Sequence, residues 1–218
     1  MTLMGRDADL VVVFETHATS LDNEAGLASG WYDVALSATG EEQARLLGAR
    51  RRDDDLAAVF CSDLTRSFHT AEIAFRDRVL PIVRDARLRE CDYGAFTRRS
   101  ALEIEQQRVL HVATPFPNGE CYEQVVARVS AWLTEATTTF PGRTVLVVGH
   151  RATFYALEHL IRHIPLREAV TSTGIGSRGG PIGVCVPIMP RFDSSTRSAR
   201  SRPGRALSFA SGRVGAHS

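Results

Sequence analysis

Apolar and polar positions follow one another in distinct blocks along this chain of 218 residues. Short continuous apolar runs, which are typical of buried strands, lie at Val11–Phe14, 56–62 and 143–149. Between them, apolar residues recur three or four positions apart, which predicts amphipathic helices. The clearest helix covers 121–140, and one of its faces is formed by Val125, Val129, Trp132, Leu133, Ala136 and Phe140.

The remaining segments fit the same alternation. Ser37 is a typical N-cap for a helix that continues to about Arg51. Further helices are predicted at 63–75, 99–110 and 152–161, and the segment 80–90 is expected to be extended. Strands that alternate with helices predict an α/β fold: a three-layer α/β/α sandwich with a mostly parallel central sheet.

Two of the predicted strands lead into a histidine. His17 comes after the first apolar run, and His150 ends the run "RTVLVVGH". In α/β folds, ligands bind at the carboxyl ends of the strands. The two histidines are therefore expected to lie at a functional site.

The composition changes near the end of the chain. Residues 1–170 are predicted to form the folded domain, and residues 171–218 a Ser/Gly/Arg-rich tail that is poorly ordered. Within the tail, "PIGVCVPIMP" predicts one short strand, and its prolines favour the edge of a sheet. The tail carries seven arginines and a single acidic residue, Asp193. Its charge could attract nucleic acid, but it has few aromatic residues for base stacking, so nucleic-acid binding is disfavoured.

The composition also argues against several classes of protein. No apolar run approaches the ~18 residues of a membrane-spanning helix, so no membrane partner is expected. The N-terminal stretch "MTLMGRDADL" lacks a basic region and a cleavage site, which argues against a secretory signal. The four cysteines are far apart in sequence, and this favours reduced thiols in the cytoplasm over a disulfide framework.

Four residues supply the chemistry of phosphoryl transfer without a metal. An imidazole such as His17 can attack phosphorus, and an arginine such as Arg66 presents a planar fork to phosphate. A carboxylic acid such as Glu90 can protonate the leaving oxygen. A second imidazole, that of His150, can donate a hydrogen bond to the transferring group.

The chain resembles the histidine phosphatase superfamily, the phosphoglycerate mutase-like proteins of branch 1, over about residues 9–170. Five blocks in the order typical of that family carry the resemblance: "HATSLDN", "ASGWYDVALSATGEEQA", "VFCSDLTRSFHTAEI", "LRECDYG" and "VLVVGHRAT". The resemblance implies that His17 is the phosphorylated nucleophile and Arg66 a phosphate ligand. It also implies that Glu90 is the general acid and His150 the second histidine of the pocket.

The resemblance suggests further substrate contacts and reveals one departure. Asn23 lies where the family supplies another phosphate contact, and Ser29 and Gly30 lie where some members touch substrate. The family usually has an arginine immediately before the first histidine, and this chain has Thr16. Arg151, which follows the second histidine, is a candidate to supply the missing positive charge.

Other motifs in the chain suggest other chemistry. Cys61 precedes Arg66 as in a cysteine phosphatase, but the spacing is one residue short and the loop lacks glycines. His159 and His163 are spaced to chelate zinc, but no third ligand is evident, so no metal is expected. Asp92 is the alternative to Glu90 as the acid.

The sequence therefore predicts a cytoplasmic phosphatase that needs no metal or cofactor and hydrolyses a small phosphorylated substrate through a phosphohistidine. Residues 91–120 are expected to govern the choice of substrate. The first alternative is a phosphoglycerate mutase, which the short and only modestly basic segment between Tyr93 and Glu120 disfavours. The second is a weakly active or non-catalytic protein that binds phosphorylated ligands, and Thr16 motivates it. Assembly into a homodimer stays open.

Overall fold

A computed structural model describes residues 10–172 and 182–185 of the chain. The prediction of a poorly ordered tail falls mostly on 173–181 and 186–218, which lie outside the described residues. The strands are β1 (Val11–Thr16), β2 (Ala58–Cys61), β3 (Ile82–Arg84), β4 (Thr144–Gly149) and β5 (Ile182–Cys185). The helices are α1 (Leu21–Glu24), α2 (Ala38–Arg50), α3 (Thr65–Phe75), α4 (Ala101–Gln107), α5 (Tyr122–Thr139), α6 (Arg151–Arg162) and α7 (Leu166–Ala169).

The strands form one sheet in the order β3-β2-β4-β1-β5. The first four strands of this order are parallel, which confirms the predicted mostly parallel sheet. β5 comes from the segment predicted as an edge strand, and it pairs antiparallel with β1 at the edge of the sheet. The sheet therefore includes residues that follow position 170, the predicted end of the domain.

Alternate residues of the central strands face opposite helical layers. Val12 and Phe14 of β1 pack in a core with α5 and α6, whereas Val13 packs with Ala71 and Phe75 of α3. The predicted face of α5 is buried in the first of these cores, where Val125, Val129 and Trp132 are inaccessible to solvent or nearly so. Among the described helices, none has the combined length and apolar character needed to cross a bilayer.

Several local elements differ from the sequence prediction. α1 and α7 are short helices in segments where no helix was expected. The segment 80–90, expected to be extended, contains β3 and then a 3₁₀ turn at Ala86–Leu88. The helix predicted at 99–110 is α4 followed by a 3₁₀ turn, Arg108–His111.

The sheet brings three polar side chains to one edge. His17, Ser62 and His150 directly follow β1, β2 and β4, which are neighbours in the sheet. The backbone N–H of His17 donates to the Gly149 carbonyl at 2.9 Å, which extends the β1–β4 ladder by one residue. The carboxyl edge of the sheet is thus where the predicted chemistry converges.

Candidate active site

A cavity of about 660 Å³ opens at the carboxyl edge of the sheet. The residues selected from the sequence all line this one cavity, although they come from widely separated parts of the chain. They are His17, Asn23, Ser29, Gly30, Arg66, Glu90, His150 and Arg151.

His17 is held as a neutral imidazole with a defined orientation. Its Nδ1 lies 2.8 Å from the carbonyl oxygen of Ala18, so Nδ1 carries the proton and donates it to that oxygen. Burial, and secondarily the positive charge of Arg66, lower the pKa of His17 from 6.5 to about 3. The Nε2 atom therefore keeps its lone pair at neutral pH, as a nucleophile requires.

His150 lies beside His17, with the two ring centroids 4.9 Å apart. Its Nε2 is 2.6 Å from the hydroxyl oxygen of Ser62, and within the described residues its Nδ1 is buried without a hydrogen-bond partner. Burial is the main cause that lowers the pKa of His150 well below 6.5, and the nearby charge of Arg66 adds to it. If the Ser62 hydroxyl donates to Nε2, the proton of the neutral ring lies on Nδ1 and can be donated to a ligand.

Arg66 is a buried guanidinium at the start of α3, with 2% of its surface exposed. Its Nη2 donates to the Gly30 carbonyl at 2.7 Å and its Nη1 to the Tyr32 carbonyl at 3.1 Å. Because a guanidinium has five N–H bonds, three remain for an anion in the cavity. Gly30 has φ +53°, and a Cβ there would lie 3.1 Å from the ring of Tyr93, so a glycine is needed to present this carbonyl.

Glu90 is bound to the first turn of α6. Its Oε1 accepts from the backbone N–H groups of Cys91 at 2.8 Å and Ala152 at 3.1 Å, and its Oε2 accepts from that of Arg151 at 3.2 Å. The carbonyl of Glu90 accepts from Trp31 Nε1 at 2.7 Å. The carboxyl group is therefore fixed at a helix N-terminus, beside the two histidines in the same cavity.

Asn23 and Ser29 occupy different positions on the cavity wall. The side-chain oxygen of Asn23 accepts from the Ser20 N–H at 3.0 Å in the capping box of α1. Its amide group can then serve as a donor to an anion, which is the role a phosphate ligand needs. Ser29 is buried on the same wall.

Thr16 is exposed at the cavity, in the place where the resembling family has an arginine. The neighbouring Glu15 does not carry an unbalanced negative charge there. Its carboxylate accepts from Arg51 Nη2 at 2.8 Å and from Arg50 Nη2 at 3.1 Å. Arg50 of α2 and Arg51, the C-cap of that helix, thus neutralise the negative charge of Glu15. Glu15 therefore does not leave an unpaired negative charge that would repel a phosphate in the cavity.

Arg151 is the first residue of α6 and lines the cavity with 41% of its side chain exposed. Its Nη1 lies 3.9 Å from Glu105 Oε1. The guanidinium thus reaches towards α4, while the backbone N–H of the same residue binds Glu90.

The rival motifs are not supported by their surroundings. Burial raises the pKa of Cys61 to about 12, and its thiol lies 3.7 Å from the Val83 carbonyl inside the sheet. Asp92 does not line the cavity and instead accepts from the Gly94 N–H at 2.9 Å. His159 Nδ1 is 2.9 Å from the Ile164 carbonyl. In residues 10–172, no group of three or more His, Cys, Asp or Glu residues is placed to hold a metal ion.

One wall of the cavity is formed by residues 94–117, which we call the capping segment. Backbone hydrogen bonds connect it to residues 26–28: Arg98 N–H donates to Ala28 at 2.7 Å, and Ala101 N–H donates to Gly26 at 2.8 Å. The Arg98 side chain also lies 3.2 Å from the buried carboxylate of Asp22. The capping segment contributes Ala101, Ile104, Glu105 and Arg108 to the cavity.

Ser62 and Arg108 are among the residues of the site that the sequence did not indicate. Ser62, which is fully buried, follows β2 as the histidines follow β1 and β4, so the same strand-end signal could have revealed it. Arg108 lines the cavity from the capping segment. Its position depends on tertiary packing, and no local pattern distinguishes it from an exposed helical arginine.

A family model described as the histidine phosphatase superfamily (branch 1) matches residues 12–173. Among curated proteins, the uncharacterized phosphatase PhoE of Bacillus subtilis is 33% identical over 128 residues, which are 59% of this chain and 65% of PhoE. The match thus covers slightly less than two thirds of PhoE. The 2,3-bisphosphoglycerate-dependent phosphoglycerate mutase of Tropheryma whipplei (strain Twist) is 30% identical over 90% of this chain and 98% of its own.

The fold is also found among solved structures. YhfR of Bacillus stearothermophilus superposes with a TM-score of 0.66 and 28% identity, over 73% of this chain and 83% of its own. The relatives thus include both a phosphatase and a mutase by name. Both kinds of enzyme transfer phosphoryl groups.

Proposed function

Because this chain belongs to branch 1 of the histidine phosphatase superfamily, we propose that it hydrolyses a small phosphate monoester through a phosphohistidine at His17. The proposal goes beyond the phosphoryl-transfer chemistry of the family in two respects: it names hydrolysis as the reaction, and it gives each residue of the cavity a role.

The phosphoryl group binds among groups that are already oriented. The free N–H bonds of Arg66 and the amide of Asn23 contact its oxygens, and His150 donates from Nδ1. These donors are held by protein carbonyls, a hydroxyl and a helix cap, so little reorganisation is required as charge spreads over the transferring group.

In the first step, the Nε2 lone pair of His17 attacks phosphorus in line with the ester oxygen. The P–O bond to the leaving group breaks, and the Glu90 carboxyl group gives its proton to the departing alkoxide. The positive charge of the phosphorylated imidazole is shared through the Nδ1–H bond to the Ala18 carbonyl.

In the second step, water attacks the phosphohistidine. The Glu90 carboxylate takes a proton from this water, and the P–N bond breaks to release inorganic phosphate. The bond electrons return to Nε2, so His17 is again a neutral imidazole. The same carboxyl group thus acts first as an acid and then as a base, and its backbone hydrogen bonds hold it in place for both steps.

The observation that carries this proposal is the orientation of His17 by the Ala18 carbonyl within one cavity with Arg66, Glu90 and His150. Burial lowers the pKa of His17, which favours the neutral ring that a nucleophile needs. The test is hydrolysis of p-nitrophenyl phosphate in EDTA by the wild type and by His17→Ala. The matched control is His159→Ala, which removes a histidine outside the cavity. Samples quenched in an alkaline denaturant, in which the P–N bond of a phosphohistidine survives, are analysed by intact mass for a bound phosphoryl group.

The wild type and His159→Ala should turn over in EDTA and carry the phosphoryl group, and His17→Ala should do neither. Equal activity in His17→Ala would refute the nucleophile assignment. Absence of turnover in the wild type, together with binding of phosphorylated ligands, would instead support a binding protein.

Phosphoglycerate mutase activity is the second candidate function, because the Tropheryma mutase matches this chain over nearly its whole length. Against it, two of the three arginines of the capping segment are bound elsewhere. Arg98 pairs with Asp22 and Arg99 with Glu103, both outside the cavity lining. Interconversion of phosphoglycerates without release of phosphate would support the mutase and reject the hydrolase.

A further inference from the structure

Glu90 lies in an irregular part of the chain. Residues 89–93 belong to no helix or strand and lie between two 3₁₀ turns, Ala86–Leu88 and Gly94–Phe96. A general acid must nevertheless keep its carboxyl group within hydrogen-bond reach of the leaving oxygen. Contacts with other parts of the fold must therefore hold the backbone of Glu90 in place.

The side chain of Arg128 supplies such contacts from α5. Its Nη2 donates to the Glu90 carbonyl at 2.9 Å, and its Nη1 donates to the Arg87 carbonyl at 2.6 Å. The Glu90 carbonyl also accepts from Trp31 Nε1 at 2.7 Å. Two donors thus occupy both lone pairs of this carbonyl, and they hold the backbone of Glu90 from two elements of the fold.

Arg128 is itself fixed by Glu120, which also binds the chain beyond Glu90. Nε and Nη2 of Arg128 each donate to the Glu120 carboxylate at 3.1 Å, as in a two-bond arginine fork. The same carboxylate accepts from the Asp92 N–H at 3.1 Å. The side chains of Arg128 and Glu120 are only 14% and 17% exposed. We call Arg128, Glu120 and Trp31 the Glu90 clamp.

The Glu90 clamp does not line the cavity, so its residues do not contact a ligand bound there. An enclosed ion pair is a weak source of stability, because the cost of removing both charges from water offsets their attraction. Here the pair satisfies backbone groups on both sides of Glu90. A displacement of about 1 Å at a reacting group can cost about a hundredfold in rate, so such an anchor affects the chemistry without touching substrate.

We propose that Arg128 is a positioning residue, which through the Glu90 clamp holds Glu90 where its carboxyl group can act as acid and then as base. The N–H groups of α6 bind the carboxylate end of Glu90, and the clamp binds its carbonyl end. With both ends fixed, the side chain stays in place between the two steps. This inference rests on the proposed phosphatase function, because it explains how the acid of that mechanism is held.

The test is Arg128→Gln, assayed with phenyl phosphate and p-nitrophenyl phosphate. The two esters differ in one nitro group, so phenolate needs a proton to leave and nitrophenolate does not. We expect kcat for phenyl phosphate to fall by about ten- to hundredfold. With p-nitrophenyl phosphate, stopped-flow absorbance should show a burst at the wild-type rate and then slower turnover, because only the attack of water needs Glu90.

The matched control is Arg78→Gln. Arg78 also donates to two backbone carbonyls, those of Arg51 at 2.9 Å and Asp54 at 2.8 Å, and it does not line the cavity. This variant should lower the free energy of unfolding in urea but leave the ratio of the two substrates unchanged. An equal change of the ratio in both variants would mean a general loosening of the fold, and the positioning role would be rejected.

A lysine variant separates the position of Glu90 from the charge of Arg128. Burial is the main cause that lowers the pKa of His150, the charge of Arg66 comes next, and Arg128 adds a smaller part. Arg128→Lys keeps this charge but cannot form the fork and reach both carbonyls at once. It should therefore retain the defect of Arg128→Gln with phenyl phosphate. Wild-type kinetics in Arg128→Lys would assign an electrostatic role instead and overturn the proposal.

The double variant Arg128→Gln/Glu90→Gln tests whether Arg128 acts through Glu90. It should hydrolyse phenyl phosphate no more slowly than Glu90→Gln alone, whereas multiplying effects would mean independent action and reject the inference. If Glu90→Gln itself is as fast as the wild type, the acid role in the proposed function fails. If only Arg128→Gln is as fast as the wild type, the clamp alone is rejected.

A milder variant keeps the inference testable if Arg128→Gln does not fold. Trp31→Phe removes the Nε1 donor to the Glu90 carbonyl but keeps an aromatic ring. It should lower kcat for phenyl phosphate, relative to the burst rate with p-nitrophenyl phosphate, by about two- to fivefold. An unchanged ratio in Trp31→Phe, in a protein without a folded Arg128 variant, would reject the clamp.

Discussion

The carboxyl edge of the sheet and the capping segment both line the cavity, but they hold their side chains by different means. At the edge, backbone groups orient the polar atoms: Ala18 binds His17, and the first turn of α6 binds Glu90. In the capping segment, side chains pair mainly with one another, as Arg108 does with Glu105. Backbone groups cannot be changed by substitution, so the edge is suited to chemistry common to all substrates. Side chains of the capping segment can be substituted, so we expect this segment to select among substrates.

The largest effect that tests this division comes from Glu90→Gln. The amide oxygen can still accept from the Cys91 and Ala152 N–H groups, although an NH2 group replaces the oxygen that accepts from Arg151. Because the amide can no longer move a proton, hydrolysis of alkyl phosphates should fall by about 10²–10⁴-fold. With p-nitrophenyl phosphate, whose leaving group needs no proton, stopped-flow absorbance should show one rapid equivalent of nitrophenolate followed by slow turnover.

The control for this experiment is Asp92→Asn, because Asp92 binds the Gly94 N–H and does not line the cavity. A burst in Asp92→Asn with normal kinetics in Glu90→Gln would transfer the acid–base role to Asp92. The loss of activity in Glu90→Gln should depend on how well the ester oxygen leaves. If the loss depended instead on whether the substrate carries an acid group, the division between the edge and the capping segment would be contradicted.

A second test uses stability in acid. His17 has a pKa of about 3 and that of His150 is also lowered, whereas an unfolded histidine has a pKa near 6.5. Below about pH 6.5 the unfolded chain therefore binds protons that the folded chain does not. The free energy of unfolding should fall with decreasing pH, by about 1.4 kcal/mol per pH unit for each histidine, until the folded pKa is reached.

Urea unfolding between pH 7 and pH 4.5 measures this slope. His17→Asn/His150→Asn should have a flatter dependence, because the two groups no longer titrate. His111→Asn, in the capping segment, removes a ring stacked on Phe116 and is the matched control for the loss of a histidine ring outside the sheet edge. An unchanged slope in the double variant would show that neither edge histidine is held neutral.

The smallest expected effect concerns Thr16. Thr16→Arg would add a guanidinium at an exposed position on the cavity, and we expect kcat/KM for p-nitrophenyl phosphate to rise by about three- to tenfold. Thr138→Arg, at an exposed position of α5, controls for the change in net charge. If kcat/KM rises equally in both variants, the gain is a general electrostatic effect of the added charge. In that case Arg66 and the other groups at the carboxyl edge of the sheet already bind the phosphoryl group without an arginine at position 16.

The edge of the sheet was predictable because its signals are local. An apolar run followed by a histidine identifies both a strand and the residue at its carboxyl end, and parallel strands bring such residues together. The prolines around β5 likewise predicted its position at the edge of the sheet, although not its antiparallel direction. Ser62 carries the same strand-end signal but was overlooked, because a serine has no distinctive chemistry until His150 is seen beside it.

The capping segment was much less predictable. Its charge pattern shows Arg98, Arg99 and Arg108 alike, and only the packing against Tyr155 distinguishes Arg108 from the other two. Likewise, the sequence cannot reveal that Glu15 is compensated by Arg50 and Arg51, since these residues are far apart in the chain. Such pairings depend on tertiary contacts between distant parts of the chain. The local periodicity of a single sequence does not predict which of these parts come together.

The two ends of the capping segment meet at one point of the fold. Gly94 has φ +49°, and a Cβ at this position would lie 2.2 Å from the Pro117 carbonyl, which also accepts from the Ala95 N–H at 2.8 Å. A segment whose two ends are adjacent in the fold can be lengthened, shortened or replaced with little strain in the rest of the structure. We therefore expect that this segment can be exchanged as a unit while the residues at the carboxyl edge of the sheet keep their positions.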